Sequence, residues 1–151
     1  MNNNQGRIVA VSMSAARGEP KKNVDAARLV QDWGIEGDAH AGGERQVSLL
    51  GVESIERIRE LGAEVKPGDF AENITTRGID LPALKPGDRL AAGGTELEVT
   101  QVGKSCHSRC RIYEQVGDCA MPREGVFARV LKGGGIKPGD IVKLLKTNPP
   151  L

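Results

Sequence analysis

The sequence predicts a mainly β fold, a β-rich α+β barrel or sandwich with a few short peripheral helices, and two observations carry that prediction. Lys-Pro-Gly-Asp occurs three times, at 66–69, 85–88 and 137–140. Pro presets φ at the second turn position and Gly accepts a positive φ at the third, so each is a type II turn signal. An apolar or alternating stretch follows each one: Phe70–Thr75, Arg89–Ala92 and Ile141–Leu145. Glycine supplies 20 of the 151 residues, dispersed along the chain rather than gathered in a tract, as many tight turns require. Short strands joined by tight turns favour a barrel or sandwich with helices as insertions. The spacing of the three turns is unequal and their flanks differ, so they reflect turn chemistry and not a repeat protein.

Taken in order, Ile8–Met13 is β-branched and bounded by Gly6 and the polar loop 14–22, which predicts a strand. Residues 24–33 suit a helix of about two turns or a strand leading into Gly34. Gln46–Leu50 is a short apolar run. From Gly51 the apolar positions become Val52, Ile55, Ile58 and Leu61 with charges between, an amphipathic helix that Gly62 closes. Leu97–Val102 alternates like a half-buried strand, and Gly93-Gly94 before it signals a hairpin. Two more helices are expected. One is capped by Ser108 and runs to Val116; the other starts with Pro122 at its first position and ends near Leu131, before Gly133-Gly134-Gly135.

The length fits one domain, 1–151, with a core over about 8–145 and polar tails at 1–6 and 146–151. A chain of this size folds without disulfides or a structural metal. The net charge of +1 and the 3% aromatic content exclude a general polyanion binder and a stacking platform for single-stranded nucleic acid. Charge does drift: residues 1–100 carry a net −4 and residues 101–151 a net +5, so a small anionic ligand would favour the later part. The first residues are polar, no run is long enough to span a membrane, and three cysteines within 106–119 form no secreted disulfide framework. The expected location is the cytoplasm, with no nucleic-acid or membrane partner.

Two segments carry chemistry. Gly103–Arg111 holds two thiols, three fixed positive charges and a histidine, with no carboxylate. Positive neighbours favour thiolate, so Cys106 is a candidate nucleophile, sulfur carrier or metal ligand. Cys106, His107, Cys110 and Cys119 also number the four soft ligands of a zinc site, although C-x3-C is not the common knuckle spacing. A Cys-His hydrolase is the weakest alternative, since adjacent residues rarely face each other. The second segment, 34–48, combines four glycines with Asp38, His40, Arg45, Gln46 and Ser48. Backbone can approach a ligand closely there, and the polar side chains can read an anionic molecule. It matches neither a P-loop nor a dinucleotide fingerprint.

Together GIEGDAHAGGERQVSLL (34–50), FAENIT (70–75), PGDRL (86–90) and GKSCHSRCRIYEQVGDCAMPREGVFARVLKGGGIKPGD (103–140) resemble the MOSC domain, the module named for the C-terminal part of molybdenum cofactor sulfurases. The resemblance runs from about Ile8 to Leu145 and is to the small stand-alone bacterial form. It implies a distorted β-barrel with peripheral helices, and it turns residues 24–33 toward an extended lead-in. It also implies a carrier of sulfur, held as a Cys106 persulfide, or a protein that binds the molybdenum cofactor (molybdopterin) with Cys106 near the metal. Lys104, His107 and Arg109 would favour the thiolate and the anionic pterin phosphate. Gly37, Asp38, His40, Arg45, Gln46, Glu72 and Asn73 would form the pterin side of the pocket, with Cys110 and Cys119 as further metal-ligand candidates.

The expected partners are a cysteine desulfurase, which would bring the only pyridoxal phosphate involved, and molybdoenzymes or cofactor-biosynthesis proteins. A sulfur transferase of the cofactor sulfurase kind is thus the leading function. A non-catalytic cofactor holder and a molybdenum-dependent reductase of N-hydroxylated compounds are the alternatives.

Overall fold

A computed structural model describes residues 4–16, 20–103 and 124–146 of the chain. Its strands are β1 (Gln5–Met13), β2 (Lys22–Val24), β3 (Ala27–Val30), β4 (Gly34–Ile35), β5 (Val47–Gly51), β6 (Ile74–Arg77), β7 (Arg89–Ala92), β8 (Thr95–Val102), β9 (Val126–Lys132), β10 (Gly134–Ile136) and β11 (Ile141–Lys146). One α-helix, α1 (Val52–Glu60), and a 3-10 turn at Leu81–Ala83 accompany them among the described residues.

Seven strands close into a barrel in the order β11, β7, β8, β9, β5, β6, β1, and β1 pairs back onto β11. All pairs are antiparallel except β5 with β6, which α1 connects as a crossover. β2 extends the sheet beyond β1, while β10, β3 and β4 form a small second sheet. Val47, Leu49, Ile74, Leu97, Val99, Val126, Ala128 and Val130 fill the barrel. A second cluster lies outside it, where Leu50 and Phe127 meet Ile55 and Ile58 of α1. β5 is therefore buried on both faces, which explains its unbroken apolar run.

All three Lys-Pro-Gly-Asp segments form the expected turn. Gly68, Gly87 and Gly139 have φ of 97, 95 and 96°, and each Asp N–H donates to the Lys carbonyl three residues earlier. In each, the Asp carboxylate also accepts the Lys main-chain N–H, at 3.0, 2.9 and 3.0 Å. Residues 24–30 are extended, through β2 and β3, residues 31–33 turn into β4, and the Gly93-Gly94 hairpin joins β7 to β8.

Three expectations need correction. The helix expected from Pro122 does not reach Leu131: Val126–Lys132 is β9, with Val126, Ala128 and Val130 turned inward and Arg129 turned outward onto Glu98 at 2.7 Å. Outward Phe127 is buried too, under α1, so the period of two is masked, and the β-branched and aromatic residues favour the strand. The strand expected at Phe70–Thr75 begins only at Ile74, because residues 70–73 form an irregular, buried approach to it. Gln5 and Gly6 are no tail; they pair with Lys143 and Val142 and close the barrel. The expected helix from Ser108 to Val116 lies outside the described residues.

Candidate functional site

The small sheet delivers the glycine-rich loop. β4 pairs with β3, the Glu36 N–H donates to the Arg28 carbonyl, and the chain then turns through exposed Gly37 into Asp38. Asp38 is buried and is the hub of a compact network. Its Oδ1 accepts from Lys21 Nζ at 2.8 Å and from the Ser14 N–H at 3.1 Å, and its Oδ2 accepts from the His40 N–H at 3.1 Å. The His40 ring places Nδ1 3.6 Å from Oδ2. Burial pushes the Asp38 carboxyl up, but the neighbouring His40 ring, the Lys21 ammonium and the two main-chain donors outweigh it and hold the group well below the ordinary carboxylate range.

Arg45 and Gln46 lie at the other end of the loop, just before β5. Exposed Arg45 stacks its guanidinium 5.2 Å from the Phe127 ring centroid and donates from Nε to Gln101 Oε1 at 3.3 Å. Gln101 Nε2 in turn donates to the Gly103 carbonyl at 2.8 Å. Gly103 is the last described residue before the segment with all three cysteines, and its N–H donates to the Gly125 carbonyl at 2.6 Å, where the chain returns. Arg45 thus meets the root of the cysteine segment through one side chain. Gln46 works within the fold: Oε1 accepts the Val130 N–H at 3.0 Å, and Nε2 reaches Asp32 at 3.4 Å.

Glu72 and Asn73 are fully buried beneath this region. Asn73 Oδ1 accepts from the Ser48 N–H and Oγ, and its Nδ2 donates to the Ser12 carbonyl, tying β1 and β5 to the start of β6. Glu72 accepts from the Phe70 N–H at 3.2 Å and from Thr75 Oγ1 at 3.0 Å. Desolvation pushes its carboxyl up in spite of those donors. The structure therefore gathers Gly37, Asp38 and His40 in one cluster and carries Arg45 to the root of the cysteine segment. Gln46, Glu72 and Asn73 serve the framework between them. Lys104, Cys106, His107, Arg109, Cys110 and Cys119 lie outside the described residues, so the zinc set is not described either.

Sequence reasoning missed Lys21, which sits in a stretch read as a polar loop yet is 1% exposed. No local pattern marks it. Ser48 did carry a signal, as a polar residue inside an apolar run, and Glu124 carried none. The Glu124 carboxylate accepts from Ser54 Oγ and pairs with Arg57, both on α1, just where the cysteine segment rejoins the barrel. A cavity of about 340 Å³ lined by Ser54, Arg57, Asp80 and Glu124 opens beside that clamp. Among the described residues no cluster of three or more His, Cys, Asp or Glu could hold a metal, and no helix is long and apolar enough to cross a membrane.

Comparison with known proteins places these features. The fold is that of the YuaD protein from Bacillus subtilis, with a TM-score of 0.77 at 19% identity over 93% of this chain and 95% of that one. YiiM from Geobacillus stearothermophilus superposes at 0.68 with 20% identity, covering 93% of this chain and 75% of that one. YiiM from Escherichia coli does so at 0.68 with 19% identity, covering 97% and 72%. No curated protein matches the sequence. The family model of the MOSC domain matches residues 36–143, a span that holds most of the barrel, both ends of the glycine-rich loop and the cysteine segment, and so the chain belongs to the MOSC domain family.

Proposed function

We propose that this chain accepts sulfane sulfur on Cys106 and serves molybdenum cofactor metabolism, the area with which its family is associated. The observation that supports this reading is the link Arg45 to Gln101 to Gly103, which brings an exposed cation of the glycine-rich loop to the root of the segment that carries Cys106. Lys104, His107 and Arg109 flank that cysteine in sequence, and positive charge beside a thiol favours the thiolate that attacks sulfur. The step is a thiol exchange. The Cys106 thiolate attacks the outer sulfur of a persulfide on a cysteine desulfurase; the S–S bond of the donor breaks, the donor thiolate leaves, and a Cys106 persulfide forms with no net oxidation. Pyridoxal phosphate stays with that donor enzyme, and a molybdoenzyme or cofactor-biosynthesis protein is the downstream partner.

The described residues fit the anionic end of a molybdopterin. Exposed Arg45 has one long hydrogen bond and spare donors for a phosphate. Glu72 and Asn73 spend their polar atoms inside the fold and hold the start of β6 in place. When bound, the cofactor supplies the soft metal centre that takes up sulfur. Arg45 binds and orients the phosphate, while Asp38 and Asn73 keep the loop and the start of β6 in register.

Intact-mass spectrometry under non-reducing conditions tests the reading, after incubation with cysteine and an active cysteine desulfurase. The expected result is a reducible adduct of one sulfur on the parent and none on Cys106→Ser. An unmodified parent, with the desulfurase active toward another acceptor, overturns it.

A further inference from the structure

The contacts around Asp38 converge on the orientation of one ring. Lys21 Nζ and the Ser14 N–H both donate to Asp38 Oδ1, so that oxygen is saturated. Among the described residues Oδ2 accepts from the His40 main-chain N–H alone and has a lone pair to spare. The His40 Nδ1 atom is buried and has no hydrogen-bond partner, and that same Oδ2 lies 3.6 Å from it. The side chain as a whole is 30% exposed, and that exposure belongs to the side chain away from Nδ1. Both members of the ion pair behind it have side chains 0% exposed. A buried pair of this kind is weak support for stability, and orienting a neighbour is a better account of it. Lys21 is itself fixed, since its N–H donates to the Gly68 carbonyl at 2.8 Å in the first Lys-Pro-Gly-Asp turn.

We propose that Lys21 and Asp38 are positioning residues that hold His40 in the Nδ1–H tautomer and leave Nε2 as a proton-accepting nitrogen for a protic N–H or S–H group of the ligand. Lys21 occupies one carboxylate oxygen, so the ring's proton goes to the other. The ligand's proton moves onto Nε2 while its electron pair stays behind, and the resulting imidazolium faces the Asp38 carboxylate. A neutral imidazole that presents a lone pair does not recognise an oxyanion, so phosphate recognition falls to Arg45. This deepens the reading above and rests on it only for what His40 meets.

The test is long-range ¹H–¹⁵N correlation of the ring nitrogens at pH 8.5. The chain has two histidines, so the His40 signals are those lost in His40→Gln. The expected parent spectrum shows a protonated Nδ1 and a lone-pair Nε2. In Asp38→Asn and Lys21→Met the pattern moves toward the averaged one of a free histidine, and added inorganic phosphate leaves Nε2 unmoved. An Nε2–H tautomer or an averaged pattern in the parent overturns the proposal, as does a phosphate-induced shift of Nε2. If a variant does not fold, the parent spectrum alone decides. The result is independent of sulfur uptake on Cys106, so either idea can fail without the other.

Discussion

Burying Lys21 against Asp38 takes two charges out of water, and removing one partner leaves the other uncompensated. Asp38→Asn and Lys21→Met are each expected to lower stability by about 3–5 kcal/mol in denaturant titrations, while the double variant loses clearly less than the sum. Additive losses would show that the two side chains are not coupled. The folded carboxyl of Asp38 is held low, so its stabilisation is complete above the ordinary value of 3.8 and is lost as pH falls below it. The parent should therefore weaken more steeply than Asp38→Asn on the acid side. Glu72 has the opposite sign. Burial raises its folded value above 4.5, so its contribution falls as pH rises through that raised value. Glu72→Gln keeps the acceptor for the Phe70 N–H, and relative to the parent it should be more stable at pH 8 than at pH 4.5. A pH-independent difference between the two proteins would contradict this assignment.

α1 was legible because its stripe obeys the helical period and no strand pairing competes for it. Three of its four apolar positions are buried against the barrel, while Leu61 remains 51% exposed. Ile55→Ala should cost about 2–5 kcal/mol and Leu61→Ala under about 0.5, as read from thermal or denaturant unfolding. The turns were legible because Pro and Gly act locally, but the sequence could not reveal their surroundings. A Cβ on Gly68 would stand 2.3 Å from the Lys21 carbonyl, whereas one on Gly139 meets nothing within 4 Å, and both residues have left-handed φ. Gly139→Ala should cost about 1–2 kcal/mol, and Gly68→Ala distinctly more, with equal losses counting against the clash. β9 was illegible for a related reason: Phe127 is buried by α1, a contact between residues some 70 positions apart that no window can register. The strand at β6 was placed too early because most of FAENIT is buried before it is paired.

Closure of the barrel depends on a narrow seam. Gly6 lies where β1 meets β11, and a Cβ there would stand 2.2 Å from the Arg77 carbonyl and 2.7 Å from the Ile79 nitrogen. Gly6→Ala should push β1 away from the end of β6, and hydrogen exchange should show faster labelling of residues 141–146 and 74–79 than in the parent. Unchanged exchange in both segments would mean that the seam tolerates the methyl group. The barrel as a class was readable from turns and alternation, and the two chemical segments from their composition. Their meeting through Gln101 was not, because an ordinary glutamine on a strand gives no warning of its neighbours.

The hydrogen bond from Gly103 to Gly125 means that the chain leaves the barrel and re-enters it at a single point. Closing a longer loop costs only slightly more than closing a short one, so the entropy of bringing those two glycines together depends weakly on the number of residues spliced between them.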